Sequence, residues 1–427
     1  MSRYHMAKLL QFTVGNYRSF NFERTFTFVP TSIQDDPKES IASRRKHRFS
    51  TVSAVYGANS SGKSNLIEAI ATMSYIVRHS VKLNDNDELT YDPFRLSSDN
   101  APDKSTHFEI VYLNNDDEQV RYGFENNSTH IVKEWLFVKP DSEEHVLFVR
   151  EDDGIAVNEK LFPEGIDREE MTNDNRLFLS LVAQLGGKIS KDVLSFFQLE
   201  CNTISGLDHR GYSVFTKHQF KVHGSICDEA MKFFRKLQLG FTNIDIEEQE
   251  VDLSEIPAEY RPKKQPVKLE VYSSHNMYDA NGSVTGNYKF QFAEHESKGT
   301  QKIFELAGPI FDTLNCGSIL VIDELDAKMH PLISQQIVRL FTSVETNPKH
   351  AQLLFTTHDT NLLSAKLLRR DQIWFTEKDG LESTDLYRMT DIVLPDGTKP
   401  RGDGNLERNY IKGRYGAIPF ITYDTNN

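Results

Sequence analysis

The eight residues from Gly57 to Ser64 constrain the fold of this chain more than any other segment. They fit the pattern G-x-x-x-x-G-K-[ST], which is the phosphate-binding P-loop. The apolar run Val52–Tyr56 precedes the motif, and apolar residues recur after it at the spacing of a helix. The alternative, an ordinary Gly/Ser turn, does not require a strand before it and a helix after it. The strand–loop–helix order therefore predicts a nucleotide site in an α/β fold.

The residue types of this motif suit the binding of a phosphate chain. Glycine lets the backbone turn until successive N–H groups point at one anion, and the following helix N-terminus adds partial positive charge. Lys63 is predicted to contact the β- and γ-phosphates, and the Ser64 hydroxyl to ligate Mg²⁺. We therefore predict ATP and Mg²⁺ as cofactors. The predicted nucleotide-binding residues of the loop are Gly57, Asn59, Ser60, Ser61, Gly62, Lys63, Ser64 and Asn65.

Two later apolar runs each end in polar residues that suit the same chemistry. Ser318–Glu324 ends in two acids, and Leu353–His358 ends in a histidine. If both are parallel strands, their carboxyl ends meet at the ligand-binding edge of the sheet. We predict that Asp323 holds Mg²⁺, that Glu324 orients or deprotonates the attacking water, and that His358 donates to the γ-phosphate. A plain strand end and a structural histidine are the alternatives. The predicted catalytic set is Lys63, Glu324 and His358.

Composition limits the class of protein. The chain has 427 residues, of which 38% are hydrophobic and 26% charged, so it can bury a core. A net charge of −13 gives no general attraction to nucleic acid. No apolar run is long enough to span a membrane, the first residues lack the apolar stretch of a signal peptide, and Met6 is an alternative start. Three widely spaced cysteines suit a reducing compartment, which predicts a cytoplasmic protein.

The pattern along the chain predicts five segments. They are an N-terminal ATPase lobe with the P-loop (1–80), a β-rich part of that lobe (81–164), a helical insertion (165–240), a C-terminal ATPase lobe (241–390) and an extension (391–427). The four-residue spacing of Leu177, Leu181 and Leu185 indicates helix in the insertion. Residues 31–48 are polar and include Arg44–Arg48. We interpret them as a solvated loop, with a nucleic-acid backbone contact as the alternative.

A second helix start precedes the acidic strand. Ser297 has the chemistry of an N-cap, and helical spacing follows through Ile303 and Leu306. The exposed backbone N–H groups of such a start can bind an anion. An ordinary capped helix explains the same pattern.

The order of these motifs resembles that of ABC-type ATPase heads, in the branch that contains the RecF, Rad50 and SMC relatives and the OLD-like proteins. Asn16–Phe20 is similar to the N-terminal element of these proteins, and Ser297–Gln301 occupies the place of the ABC signature. The signature-like segment departs from the usual sequence at Glu296, Lys298 and Thr300, and no Q-loop glutamine is assigned. The resemblance adds five residues to the predicted nucleotide-binding set: Arg18, Ser297, Gly299, Gln301 and Asp326.

A closer resemblance is to the AAA-15/AAA-21 ATPases of bacterial abortive-infection systems, among them the RloA/AbiL-type subunits. It rests on Tyr56–Leu66, Asn175–Ser180, Asp323–Pro331 and Gly413–Pro419. It implies a cytoplasmic, Mg²⁺-dependent ATPase that regulates a separately encoded nuclease or toxin in anti-phage defence. One alternative is a DNA-repair or chromosome-maintenance ATPase that binds DNA. Another is an ATP-gated scaffold that hydrolyses slowly and sequesters a toxin.

The same resemblance implies an assembly. In ABC-type heads two protomers enclose two ATP molecules, so the P-loop, Asp323, Glu324 and His358 of one subunit would face Ser297–Gln301 of the other. The partners expected are therefore a second copy of the chain and a protein effector, with nucleic acid as an open alternative and no membrane.

Overall fold

The computed structural model describes residues 6–97, 104–205, 210–254, 260–262, 265–364, 366–402 and 404–419. The chain forms two compact units. The first comprises Met1–Gly206, Cys316–Asp326 and Ser334–Asn427, and the second comprises Leu207–Asn315 and Ala327–Ile333. None of the helices in the described residues has the length and apolar character that crossing a membrane requires.

The strands are numbered in chain order. They are β1 (Lys8–Gly15), β2 (Arg24–Thr27), β3 (Ile41–Arg44), β4 (His47–Ser50), β5 (Val52–Tyr56), β6 (Thr106–Leu113), β7 (Gln119–Asn126), β8 (Ile131–Lys139), β9 (His145–Glu151), β10 (Gly154–Val157), β11 (Cys201–Ser205), β12 (Asn243–Glu250), β13 (Val267–Tyr278), β14 (Val284–Gln291), β15 (Ile319–Asp323), β16 (Gln352–Thr356), β17 (Ile373–Lys378) and β18 (Thr384–Arg388).

The α-helices are numbered in the same way. They are α1 (Lys63–His79), α2 (Phe178–Gln184), α3 (Lys188–Ser195), α4 (Arg210–Lys221), α5 (Ser225–Lys236), α6 (Phe292–His295), α7 (Lys298–Cys316), α8 (Pro331–Thr342), α9 (Asn361–Ser364) and α10 (Leu406–Ile411).

A six-stranded sheet positions the predicted site in the first unit. Its order is β11-β15-β16-β5-β17-β18, and every neighbouring pair is parallel except β17 and β18. All five residues of β5 are buried, as are Ile319–Ile322 of β15, which is typical of parallel strands covered on both faces. Because β5, β15 and β16 run the same way, the P-loop and the two polar strand ends share one edge of the sheet, as predicted.

The first unit also contains a seven-stranded antiparallel sheet and the two-stranded hairpin β3–β4. The seven-stranded sheet has the order β10-β9-β8-β7-β6-β1-β2, which confirms the predicted meander. Helix α1 buries the predicted residues Leu66, Ile67, Ala69 and Ile70. One hydrophobic core contains these residues together with apolar side chains of both large sheets, so burial ties the P-loop helix to the meander.

The second unit consists of the antiparallel sheet β12-β13-β14 with α4, α5 and α7. Aromatic rings join its helices: Phe220 contacts Phe304 with centroids 4.9 Å apart. Helix α4 also approaches α7 closely at Gly308, where a Cβ would lie 2.3 Å from Thr216 Oγ1. The predicted Asn281-Gly282 turn joins β13 to β14, and Gly282 has a φ of 79°.

Three local expectations need correction. Segment 165–240 is not helical throughout, because β11 pairs with β15 from Cys201 opposite Ile319 onward. Residues 31–48 are not only loop, since β3 and β4 pair there; Arg44 donates to the Met6 carbonyl and lies 3.7 Å from Asp117. Leu185 follows the end of α2 and is 49% exposed, so it does not extend the apolar face. In the first two cases backbone pairing stabilises strands that lack an apolar run. The division into five segments stays a prediction.

Candidate functional site

A cavity of about 560 Å³ lies at the shared edge of the six-stranded sheet. This volume falls in the range of small-molecule sites, about 300–1,000 Å³. The structure thus brings three separately predicted pieces to one place, namely the P-loop, the acidic strand end and the strand-ending histidine. Its lining residues are Ser19, Asn59, Ser60, Ser61, Gly62, Lys63, Ser64, Asn65, Glu324, His358 and Lys378.

Lys63 lies inside the P-loop. Its Nζ donates to the carbonyl oxygens of Gly57 at 2.9 Å and Ala58 at 3.0 Å. Burial lowers the pKa of Lys63, while the nearby Asp323 and Glu324 carboxylates act in the opposite direction. The loop therefore holds an ammonium group next to the acidic strand end, where a phosphate chain would need positive charge.

Two P-loop glycines are required by their surroundings. A Cβ at Gly57 would lie 2.5 Å from both the carbonyl oxygen and Oγ1 of Thr376 on β17. Gly62 has a φ of 109°, and a Cβ there would lie 2.3 Å from Thr384 Oγ1. The first glycine is fixed by close backbone approach, and the second by both backbone conformation and crowding.

Thr356 connects the two acidic residues. Its Oγ1 donates to Asp323 Oδ1 at 2.6 Å and accepts the backbone N–H of Glu324 at 2.7 Å. Glu324 has a φ of 54°, a left-handed conformation that is rare for a residue other than glycine. Such outliers cost of order 1–3 kcal/mol and cluster at functional sites. The last residue of β16 thus fixes the direction of the acidic pair, and no motif in the sequence indicated it.

His358 follows the end of β16 and lines the cavity. Burial, followed by the charge of Lys63, lowers its pKa, with Asp326, Glu324 and Asp323 opposing the shift. The imidazole is therefore neutral near pH 7 and can donate one ring N–H. Its backbone N–H donates to Asp326 Oδ2 at 3.3 Å. Asp326 thus supports the loop that carries His358.

A set of hydroxyl groups holds the P-loop from the side opposite the acidic strand. Ser61 Oγ and Thr376 Oγ1 lie 2.6 Å apart. Thr384 Oγ1 donates to the carbonyl oxygen of Ser61 at 2.9 Å and lies within hydrogen-bond distance of Ser19 Oγ, at 2.8 Å. Asn65 Nδ2 also donates to Ser19 Oγ, at 2.7 Å. The hairpin β17–β18 and the residue after Arg18 therefore form part of the site, although the sequence did not predict either contribution.

Arg18 itself has other partners in the structure. Its guanidinium forms ion pairs with Glu68 and with Asp92, the latter at 3.0 Å. It is not among the residues that line the cavity, whereas its neighbour Ser19 is. Its assignment as a phosphate contact stays a prediction.

The residues proposed for Mg²⁺ fit that ion by their chemistry. The Ser64 hydroxyl and the Asp323 carboxylate are hard oxygen ligands, and Mg²⁺ usually takes few protein ligands beside phosphate oxygens and water. Within the part of the chain that the structure describes, no group of three or more His, Cys, Asp or Glu side chains could hold a metal by itself. The donor set therefore fits a metal that arrives with a nucleotide better than a permanently bound one.

The signature-like segment belongs to the second unit. Ser297 Oγ accepts the backbone N–H of Thr300 at 3.1 Å, which confirms the predicted N-cap. Gln301 Nε2 donates to the carbonyl oxygens of Ala293 and Glu296, both at 2.9 Å. The segment is thus a capped start of α7, and the roles of Ser297, Gly299 and Gln301 in nucleotide binding stay predictions.

One family model matches the chain over residues 52–364, and its description is "AAA domain, putative AbiEii toxin, Type IV TA system". The matched range contains the P-loop, the Asp323–Glu324 pair and His358. No curated protein sequence matches significantly.

The solved structures to which the chain is similar include two SMC head domains and the recombination mediator protein RecF. The SMC head domain from Thermotoga maritima is 13% identical, with a TM-score of 0.40, 89% of this chain covered and 98% of that chain covered. The Smc head domain bound to the C-terminal domain of ScpA from Pyrococcus furiosus is 13% identical, with a TM-score of 0.42 and coverages of 90% and 96%. A RecF structure is 13% identical, with a TM-score of 0.36 and coverages of 89% and 98%. The predicted α/β fold class with a β-meander is confirmed.

Proposed function

This chain belongs to the AAA_21 family of AAA domains, and from this premise we propose that it is a Mg²⁺-dependent ATPase of the ABC type that dimerises around ATP. One observation carries the proposal: Lys63, Glu324 and His358 line a single cavity at the edge of the parallel sheet. A purely structural role does not explain why a P-loop, an acid and a neutral imidazole surround an open cavity.

Each residue has a role that follows from its position. The P-loop backbone and Lys63 bind the phosphates, and Ser64 with Asp323 holds the metal. Bound Mg²⁺ neutralises charge on the phosphate oxygens. Glu324, whose backbone N–H is held by Thr356, orients the attacking water and accepts its proton. His358 is neutral and donates to the γ-phosphate, which stabilises the charge that develops there.

The dimer completes the site in this proposal. Ser297, Gly299 and Gln301 of a second copy would contact the nucleotide through the start of α7, where the helix N-terminus carries partial positive charge. Contacts to the γ-phosphate would then stabilise the closed dimer, and hydrolysis would release it.

We propose further that this ATPase acts as a sensor or regulator in anti-phage defence and controls a separately encoded effector. The family description, which mentions the AbiEii toxin and type IV toxin–antitoxin systems, supports this role, as does the resemblance to abortive-infection ATPases. The test is phage challenge of cells that carry the chain with its neighbouring genes. Lys63→Ala should abolish protection, and protection that survives this change would contradict a role for the nucleotide.

ATP turnover and molecular mass, measured together, test the enzymatic proposal. Wild type should hydrolyse Mg-ATP, and Glu324→Gln should bind it, lose roughly 10²–10⁴-fold in turnover and accumulate as a larger assembly by light scattering. Glu345→Gln, at an exposed position after α8, is the matched control and should behave as wild type. A wild-type protein without turnover, whose mass does not respond to nucleotide, would contradict the proposal for the isolated chain.

A further inference from the structure

Lys378 is the last residue of β17, the strand on the far side of β5 from the acidic strand. Two residues earlier on the same strand, Thr376 contacts Ser61 of the P-loop with its side chain. Alternate residues of a strand point to the same face, so Lys378 faces the P-loop as Thr376 does. Its position confirms this direction, because Lys378 lines the same cavity as Asn59 and Ser60.

In the structure Lys378 forms only a weak, exposed ion pair, with Glu382. Its Nζ lies 3.2 Å from Glu382 Oε2 across the turn between β17 and β18, and the side chain of Glu382 is 67% exposed. Exposed ion pairs of this kind contribute little, since water screens them and both side chains lose freedom. A phosphate oxygen in the cavity offers the same kind of charge-assisted contact with less screening by water, so the contact is stronger there. A bound triphosphate would therefore draw the ammonium group away from Glu382.

From these observations we infer that Lys378 is a second phosphate-binding lysine of the site. Its ammonium exchanges Glu382 for a phosphate oxygen of the nucleotide and contacts it from the side of the P-loop opposite Asp323 and His358. The inference rests on the proposed function, because it assigns the nucleotide of that site as the ligand. It adds a contact from the C-terminal hairpin, which no motif covers, and it makes Glu382 an internal competitor of nucleotide.

Calorimetric titration with Mg-ATP tests this assignment, with all variants built on Glu324→Gln so that turnover does not interfere. Lys378→Gln should weaken Mg-ATP binding by roughly tenfold, the loss of one charge-assisted contact. Lys378→Arg, which keeps the charge, should retain most of the affinity. Glu382→Gln should tighten binding by roughly two- to threefold, since it removes the competitor. Lys412→Gln, at an exposed position that does not line the cavity, is the control and should have no effect.

The outcomes separate this inference from the proposed function. If Glu324→Gln alone binds Mg-ATP but Lys378→Gln and Lys412→Gln bind it equally well, the role of Lys378 is overturned and the ATPase proposal stands. If Glu324→Gln alone and wild type both fail to bind Mg-ATP, both proposals fall. If circular dichroism shows that Lys378→Gln folds poorly, the Glu382→Gln variant alone decides. Unchanged or weaker Mg-ATP binding by Glu382→Gln would overturn the inference that Glu382 competes with nucleotide for Lys378.

Discussion

Thr356 controls two groups with one hydroxyl. It orients the Asp323 carboxylate and accepts the backbone N–H of Glu324, which has a left-handed conformation. Thr356→Val preserves the shape of the side chain but leaves that N–H without an acceptor. We expect a loss of about 1–3 kcal/mol in the free energy of unfolding and a roughly 10–100-fold loss of ATP turnover. Urea unfolding and steady-state turnover measure the two effects.

Ser53→Ala is the matched control for Thr356→Val. Ser53 lies on β5, next to β16, and its Oγ is buried without a hydrogen-bond partner in the described part of the chain. Removing this hydroxyl should leave turnover unchanged. Equal turnover in Thr356→Val and Ser53→Ala would show that Thr356 does not position the acidic pair.

Lys302 on α7 gives the second unit a pH dependence. Lys302 is only 3% exposed, and this burial lowers its pKa from 10.5 to about 8. Between pH 8 and 10.5 the unfolded chain therefore binds more protons than the folded one, so stability rises with pH through this interval. Below pH 8 both states are protonated, and the buried charge destabilises the fold fully.

Lys302→Met should therefore raise the melting temperature at pH 7 and flatten the rise between pH 8 and 10.5. A shift of about 2–4 °C corresponds to roughly 1 kcal/mol in a domain of moderate size. Thermal unfolding at a series of pH values measures it, with Lys236→Met, at an exposed position of α5, as the control. An unchanged slope in Lys302→Met would mean that Lys302 is not the group responsible.

At the level of single residues, the sequence could predict the groups that belong to a contiguous motif. Lys63, Ser64, Asp323 and Glu324 are of this kind. It could not predict Thr384, which is more than three hundred positions from Ser61 along the chain. A hydroxyl of this type has no pattern of its own, because Thr384 reaches the P-loop only through the pairing of β18 with β17 and of β17 with β5.

The conformation of the P-loop depends on hairpin β17–β18, and a pair of glycines tests this. Gly62 and Gly154 both have positive φ, at 109° and 130°. A Cβ at Gly62 would collide with Thr384, whereas a Cβ at Gly154 would meet nothing within 4 Å. Both alanine variants should lose about 1–2 kcal/mol from backbone strain, but only Gly62→Ala should lose the rise in melting temperature that Mg-ATP produces. If Mg-ATP still raises the melting temperature of Gly62→Ala as it does that of the wild type, Thr384 does not crowd this position enough to disturb the P-loop.

Among whole elements, the buried apolar strands and the amphipathic helices were predictable, and the polar edge strands were not. β5 and β15 are mostly apolar, since both faces of a parallel sheet are covered. β11 is an edge strand whose five residues, Cys201–Ser205, include three polar ones. β3 and β4 lie within a charged segment. Their pairing is a property of the backbone that hydrophobic periodicity does not record.

For the whole molecule, the motif order along the chain does not reveal to which of the two compact units each motif belongs. The P-loop, the acidic pair and His358 belong to the first unit, while Ser297–Gln301 belongs to the second. A long segment of chain separates the P-loop from the acidic pair in sequence, and the six-stranded sheet forms from strands that lie before, within and after this segment. The sequence singled out Lys63, Glu324 and His358, and the sheet order explains why these three residues line one cavity.

The proposed dimer predicts complementation between two inactive variants. Lys63→Ala damages the P-loop, and Ser297→Arg places a bulky charge in the signature-like segment. If each site combines the P-loop of one subunit with the signature-like segment of the other, a heterodimer of these variants contains one intact site and one doubly damaged site. An equal mixture forms heterodimers in about half of its dimers, so about a quarter of wild-type turnover should return. Each variant alone should stay inactive, and a mixture no more active than its components would contradict a site shared between subunits.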